Sequence, residues 1–196
     1  MVETISPAVH GGRKPAYWMS VLLHTIGAVA AAAAVGFALG SVGHFLGAPW
    51  SGAGVAFIAL VAALYALRAA AGLPVPIPSR RRQVPDWWRT FFSPQVSSLL
   101  YGLGLGVGYL TFLSFGTYVA VAAAALLGGD PFLGAFLCAP FGAGRALTVL
   151  LASGARDAEA AAAAVDHIEA FGATRGPGLV NAVALMVLTG ACLAAL

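Results

Sequence analysis

Thr111, Ser114, Thr117 and Tyr118 stand three and four residues apart in an otherwise apolar stretch. At helical spacing they share a face. Near the middle of a membrane-length segment such a face has two readings. The hydroxyls bond back to the preceding turn or across to another helix, or they form a polar lining for a substrate or an electron-transfer partner. No carboxylate stands among them, so this face alone carries no proton coupling. His24, an ionisable residue about two turns inside an apolar helix, completes the candidate midplane face. Cys138 and Cys192 are the two thiols of the chain. Counted at a 1.5 Å rise from the same membrane boundary, they lie about 10 Å and about 6 Å deep. They are a candidate redox pair if their Cβ atoms face each other, and otherwise small packing residues. Arg145 reads as a side chain that snorkels to the interface, with a cavity-facing role as the alternative. The His and Cys positions have no metal-ligand spacing. No metal and no cofactor is expected.

The elements that must position these residues are set by composition. The 196-residue chain is 60% hydrophobic and 9% charged, with a mean hydropathy of +0.90. A water-soluble domain carries about 25% charged residues, so this chain cannot coat a soluble surface. The class is an all-α, polytopic integral membrane protein. A net charge of +3 does not indicate nucleic acid, because the basic residues are confined to loops and helix ends. The first apolar run is too long for the core of a cleavable signal peptide and starts after 16 polar or mixed residues. No hydrolytic triad or phosphate loop is present, and no enzymatic activity is expected.

Five transmembrane helices are expected, over about 17–46, 54–72, 96–128, 131–153 and 179–196, in a single domain. The third is the centre of the pattern: 33 residues without a charge, longer than the 20 or so needed to cross a bilayer. Its glycines Gly102, Gly104, Gly106 and Gly108 form two overlapping small-xxx-small pairs, which let a neighbouring helix approach closely. Dense glycine also marks a helix that must bend or unwind, as in broken transporter helices. Pro140 is expected to kink the fourth helix. Arg68 ends the second and can snorkel from its last turn.

Two segments lie outside the spans. Residues 73–95 contain five prolines with Arg80, Arg81, Arg82 and Arg89. The proline content rules out a continuous helix. The arginines, set beside Trp87, Trp88, Phe91 and Phe92, predict an amphipathic piece that contacts lipid headgroups. Residues 154–178 read as a short polar helix, with Gly172 as a candidate cap and Gly176, Pro177 and Gly178 as its end. With the N-terminus in the cytoplasm and the C-terminus outside, all ten Lys/Arg residues fall on the cytoplasmic side. The opposite side carries Asp130 as its charged residue. The expected location is the plasma membrane and the expected partner the lipid bilayer, with a homo-oligomer or membrane-complex partner as further possibilities.

Residues 99–108, with their alternating glycines, resemble the glycine-rich fourth span of the CcdA/DsbD cytochrome c biogenesis and thiol–disulfide carrier family. The resemblance covers about residues 19–153. The first helix and then residues 62–76 are similar to the second and third spans and their basic exit loop, residues 132–151 look like the fifth span, and the last helix would be the sixth. The family's first span has no counterpart here, and residues 109–116 lack its reactive cysteine. Cys138, Ala139 and Pro140 look like the family motif but stand in a different span. The resemblance implies a membrane carrier or transporter-like protein without the family's cysteine pair. Two further readings are a redox carrier using Cys138 and Cys192, and a non-catalytic subunit of a membrane complex.

Overall fold

The computed structural model describes residues 5–7, 9–11, 13–78, 87–108, 115–155 and 157–196. Within them the chain is all-helical. The elements are α1 (Lys14–Phe45), α2 (Ser51–Ala71), α3 (Trp87–Phe91), α4 (Pro94–Gly106), α5 (Thr117–Gly128), α6 (Pro131–Leu147) with a following 3-10 turn (Thr148–Ala152), α7 (Ala158–Ala173) and α8 (Arg175–Ala194).

Among the described residues four helices are long and apolar enough to cross a membrane: Lys14–Phe45, Gly52–Ala71, Pro131–Ala152 and Arg175–Ala194. Their side chains are distributed as lipid-facing helices require. The interior is filled by small residues such as Ala28, Ala32, Ala62, Ala120 and Ala146. Large apolar side chains point outward: Phe132 is 77% exposed and Phe136 74%. In water this arrangement would be costly. In lipid, helices associate through close packing of small residues rather than by hiding apolar surface.

α1 is the central element and packs along α4, α5 and α6. Its contacts are backbone to backbone. A Cβ at Gly36 would overlap the Gly134 carbonyl of α6, and a Cβ at Gly134 would overlap the Gly36 carbonyl. Gly40 meets the Asp130 carbonyl and Gly142 meets Ala28, so α6 runs antiparallel to α1. On the other flank Gly102 meets the His24 carbonyl and Gly106 the Ala28 carbonyl, while Gly43 meets Leu126. The succession α4 then α5 therefore runs parallel to α1. α2 pairs with α8, Gly52 lying against Leu196. α5 joins the two groups through a cluster of Ala62, Tyr65, Ala66, Ala120 and Leu185.

The expected uninterrupted helix over 96–128 is not what forms. α4 ends at Gly106 and α5 begins at Thr117, and Gly108 adopts φ +78°. Glycine lowers helix stability by about 1 kcal/mol relative to alanine, and four of them in seven residues leave the segment easy to break. α5, with 12 residues, is too short to cross alone. Five separate long spans are thus replaced by four and a broken element. α6 continues through Pro140. Gly172 does not end α7, which runs to Ala173. Gly176, Pro177 and Gly178 do not end that segment either; they open α8, where proline in the first turn has no hydrogen bond to lose.

The connecting pieces are tied to the bundle. Arg68 does not merely snorkel: its Nε donates to the Val75 carbonyl at 2.7 Å, and the Tyr65 hydroxyl donates to the Pro76 carbonyl at 2.8 Å. These two bonds hold the proline-rich segment 73–78 against α2. In α3, Trp87 and Phe91 are exposed. Arg80, Arg81 and Arg82 lie outside the described residues, as does the side chain of Arg89. The N-terminal arm folds back on α1: Ile5 packs with Tyr17, Val21 and Val149, and His10 bonds the Ser20 hydroxyl at 2.8 Å.

Gly36→Leu should force α1 and α6 apart, since overpacking costs about 1–3 kcal/mol even where neighbours can move. We expect a clear fall in the thermal midpoint of the detergent-purified protein. Gly144→Leu, at a position with nothing within 4 Å, should leave the midpoint near that of the parent chain. Equal midpoints for the two variants would show that the α1–α6 contact is not close.

Candidate functional site

The interruption between α4 and α5 brings together Tyr118, Arg145 and the carbonyls at the end of α4. A helix that stops inside an apolar bundle leaves carbonyls without amide partners, and water is not at hand to satisfy them. Two side chains take that place. The Tyr118 hydroxyl donates to the Val107 carbonyl at 2.8 Å. Arg145 Nη1 donates to the Leu105 carbonyl at 3.2 Å. Arg145 also lies over the Phe141 ring, 5.6 Å from its centroid, and Phe141 stacks at a tilt on Tyr118 with centroids 4.6 Å apart. Arg145 therefore turns inward to the broken helix instead of snorkelling. The positive φ at Gly108 is what lets the chain pass the Tyr118 ring, which a Cβ there would overlap.

The expected polar face is distributed differently. Thr111 and Ser114 lie outside the described residues. Thr117 and Tyr118 are neighbours in sequence and point to different helices. The Thr117 hydroxyl donates to the amide oxygen of Asn181 on α8, while Tyr118 turns to α4 and α6. His24 is fully buried against α4, with Nδ1 at 3.2 Å from the Ser98 carbonyl. A carbonyl can only accept, so Nδ1 carries the hydrogen. Nε2 is buried without a hydrogen-bond partner among the described residues.

Gly102 and Gly106 are at the α1 contact, and Gly104 is half-buried. Cys138 and Cys192 are both free. Cys138 is buried against Gly36 of α1, whereas Cys192 is half-buried on α8, which packs on α2. The two thiols belong to different helix groups, which removes the geometric basis for a redox pair. No group of three or more His, Cys, Asp or Glu side chains that could hold a metal occurs among the described residues.

Beside the break lies a recess of about 620 Å³, lined by Phe115, Thr117, Phe171, Pro177, Val180 and Asn181 among others. Among the described residues its lining offers the Thr117–Asn181 hydroxyl–amide pair in apolar surroundings and no carboxylate, imidazole, thiol or amine. That lining is suited to holding a mainly apolar group. Asn181 was missed by the sequence reading, although a lone amide in an apolar 20-residue helix was a usable signal.

An all-helical chain with long apolar helices, small residues inside and a broken helix capped by buried polar groups has the architecture of a helical membrane protein. Within that class the chain is similar to the methylamine utilization protein MauF. It is 32% identical to MauF of Paracoccus versutus over 151 residues, which is 76% of this chain and 55% of that protein. It is 38% identical to MauF of Methylorubrum extorquens over 136 residues, 67% of this chain and 46% of that protein. MauF of Methylophilus methylotrophus is 38% identical over 128 residues, 64% of this chain and 45% of that protein. The chain spans about half the length of the curated relatives it matches. No protein-family model matches it, and no solved structure does.

These relatives overturn the expected membership of the CcdA/DsbD thiol–disulfide carriers, since they are methylamine utilization proteins. The cytochrome c biogenesis, transporter-like and redox-carrier readings fall with that resemblance. The reading as a non-catalytic complex subunit finds no support in these relatives either.

Tyr118→Phe should lower stability by about 1 kcal/mol, the usual net worth of one hydrogen bond. Gly108→Ala should cost more, because it adds a strained φ to a collision with the Tyr118 ring. Thermal unfolding of both variants in the same detergent checks the order. A milder effect for Gly108→Ala would show that the turn at 108 is not fixed by Tyr118.

Proposed function

We propose that this chain is a membrane-embedded protein of methylamine utilization. The observation that carries the reading is the similarity to methylamine utilization proteins MauF of three genera, at 32–38% identity over 64–76% of this chain. The small-residue interior and the exposed Phe and Leu faces support placement in the membrane.

For topology, α4 and α5 together act as one broken crossing, giving five crossings in all. Their common direction alongside α1 supports this. The charges set the orientation. Arg13, Lys14 and Ser153 meet at one end of the bundle. At the other end Gly40 meets Asp130, and Gly129 meets Ala48. The positive-inside rule then puts the N-terminus in the cytoplasm and the C-terminus outside, in the plasma membrane. The bilayer is the partner of the outward apolar faces, and Arg80, Arg81, Arg82 and Arg89 contact its headgroups.

Deleting the gene in its host should abolish growth on methylamine and leave growth on ammonium with succinate unchanged. Normal growth on methylamine would overturn the reading. For topology, Asp130→Cys in a Cys138→Ala/Cys192→Ala background should react with an impermeant maleimide in intact cells, and Gly154→Cys should react after lysis alone. The reverse pattern would invert the orientation.

A further inference from the structure

We propose that the recess beside the α4–α5 break binds the ester carbonyl of a membrane glycerolipid, with an acyl chain laid along its apolar walls. The inference rests on the placement of α8 across the membrane proposed above. Its readout, lipid binding by the purified chain, is separate from growth on methylamine and from maleimide labelling.

The amide of Asn181 selects the ligand. Asn181 is 7% exposed and lines the recess. Its Oδ1 accepts from the Thr117 hydroxyl. Its Nδ2 carries two hydrogens and has no hydrogen-bond partner among the described residues. The unpartnered side-chain atoms that packing closes off completely among the described residues are the Tyr17 hydroxyl and His24 Nε2. Nδ2 of Asn181 keeps accessible surface, and the recess is where it opens. An amide donor left unmade away from water is unfavourable. In a bilayer the missing acceptor has to arrive on an apolar molecule, because water is not at hand.

The walls exclude a free anion. Phe115, Phe171, Val180 and Ala184 are apolar, and no charged side chain lines the recess among the described residues. Depth then selects the carbonyl. α8 opens at Arg175, which is exposed and reaches the headgroups from a helix end. Asn181 lies about 9 Å further along the axis at a 1.5 Å rise per residue. The polar zone on each side of the hydrocarbon core is about 5–8 Å deep. Asn181 therefore stands close to the level of the glycerol esters, just inside the hydrocarbon edge. Ala184, nearly a turn deeper, lies where the acyl chain runs.

The test uses the full chain purified in a neutral maltoside detergent. Binding is read by native mass spectrometry, with diacyl phosphatidylcholine and its di-O-alkyl ether counterpart of equal chain length as probes. The two lipids differ at the ester carbonyls, and an ether oxygen is the poorer acceptor. The diacyl lipid should bind about fivefold more tightly, the net worth of one hydrogen bond.

Asn181→Leu keeps the side-chain volume and removes the donor, so it should bind the two lipids equally. Ala184→Phe leaves the Thr117–Asn181 pair in place and fills the recess from its exposed wall. It should lose the preference while keeping the parent thermal midpoint. Equal binding of the two lipids by the parent chain overturns the proposal, and so does a preference that survives either variant intact. Tighter binding of decylubiquinone than of the diacyl lipid, lost in Asn181→Leu, would assign the amide to a quinone carbonyl and overturn the lipid as its ligand.

Discussion

The backbone-to-backbone contact of α1 with α4 and α6 is what the remaining structure depends on. Gly36 and Gly134 face each other so closely that neither tolerates a Cβ, and Gly102, Gly106 and Gly142 repeat the same condition against the His24 and Ala28 carbonyls. Lipid supplies no hydrophobic drive for helices to associate, so the attraction must come from short-range packing. That attraction falls off steeply with distance. Where α1 meets α4 and α6 the contact is reserved for glycine and alanine. Phe132 and Phe136 stand on the same helix as Gly134 and point outward, because nothing of their size fits at that contact.

The same glycines that admit α1 weaken α4 as a helix. Gly102 and Gly106 are needed at the contact, Gly104 adds to the cost, and Gly108 makes the turn that follows. The chain resolves this by stopping α4 at Gly106 and starting α5 at Thr117. The stop then creates an obligation, because carbonyls freed in an apolar interior must find donors. Arg145 and Tyr118 meet it from α6 and α5. An arginine turned into an apolar bundle from the last turn of its helix is expensive unless it is paired. Here it bonds the freed Leu105 carbonyl and lies over Phe141, so the break and the arginine account for each other.

The helical membrane class, the packing role open to Gly102 and Gly106, and the turn near Asp130 were legible in the sequence, because each follows from local composition. The break was half legible. Alternating glycine announced a segment able to unwind, yet an uncharged run of this length also fits one continuous helix, and hydropathy does not distinguish them. The partners of Arg145 and Thr117 were not legible. They depend on which helices are neighbours, and in a bundle of Ala/Gly faces many pairings are nearly equivalent by pattern. The supposed cysteine pair failed for the same reason. Equal depth says nothing about azimuth, and Cys138 and Cys192 sit on helices that pack against different partners. The family resemblance failed because glycine-rich order along a helix reflects close packing, which unrelated membrane proteins share.

Two buried polar atoms on α1 lack partners among the described residues, His24 Nε2 and the Tyr17 hydroxyl, and packing closes off both. His24 is sealed at the α1–α4 contact, and its other ring nitrogen already donates to Ser98. With Nδ1 carrying the hydrogen, a neutral ring leaves Nε2 as a bare acceptor. One unmet acceptor is a cost of about 1–3 kcal/mol that extensive packing can absorb. The Tyr17 hydroxyl is a donor about two turns earlier on the same helix, and its ring packs with Ile5, Val21 and Val149. It is closed off as His24 Nε2 is, so the N-terminal arm and α1 carry the same kind of cost as the α1–α4 contact. Close packing is what makes both atoms unreachable by water, and the same packing is what offsets the bonds they do not make.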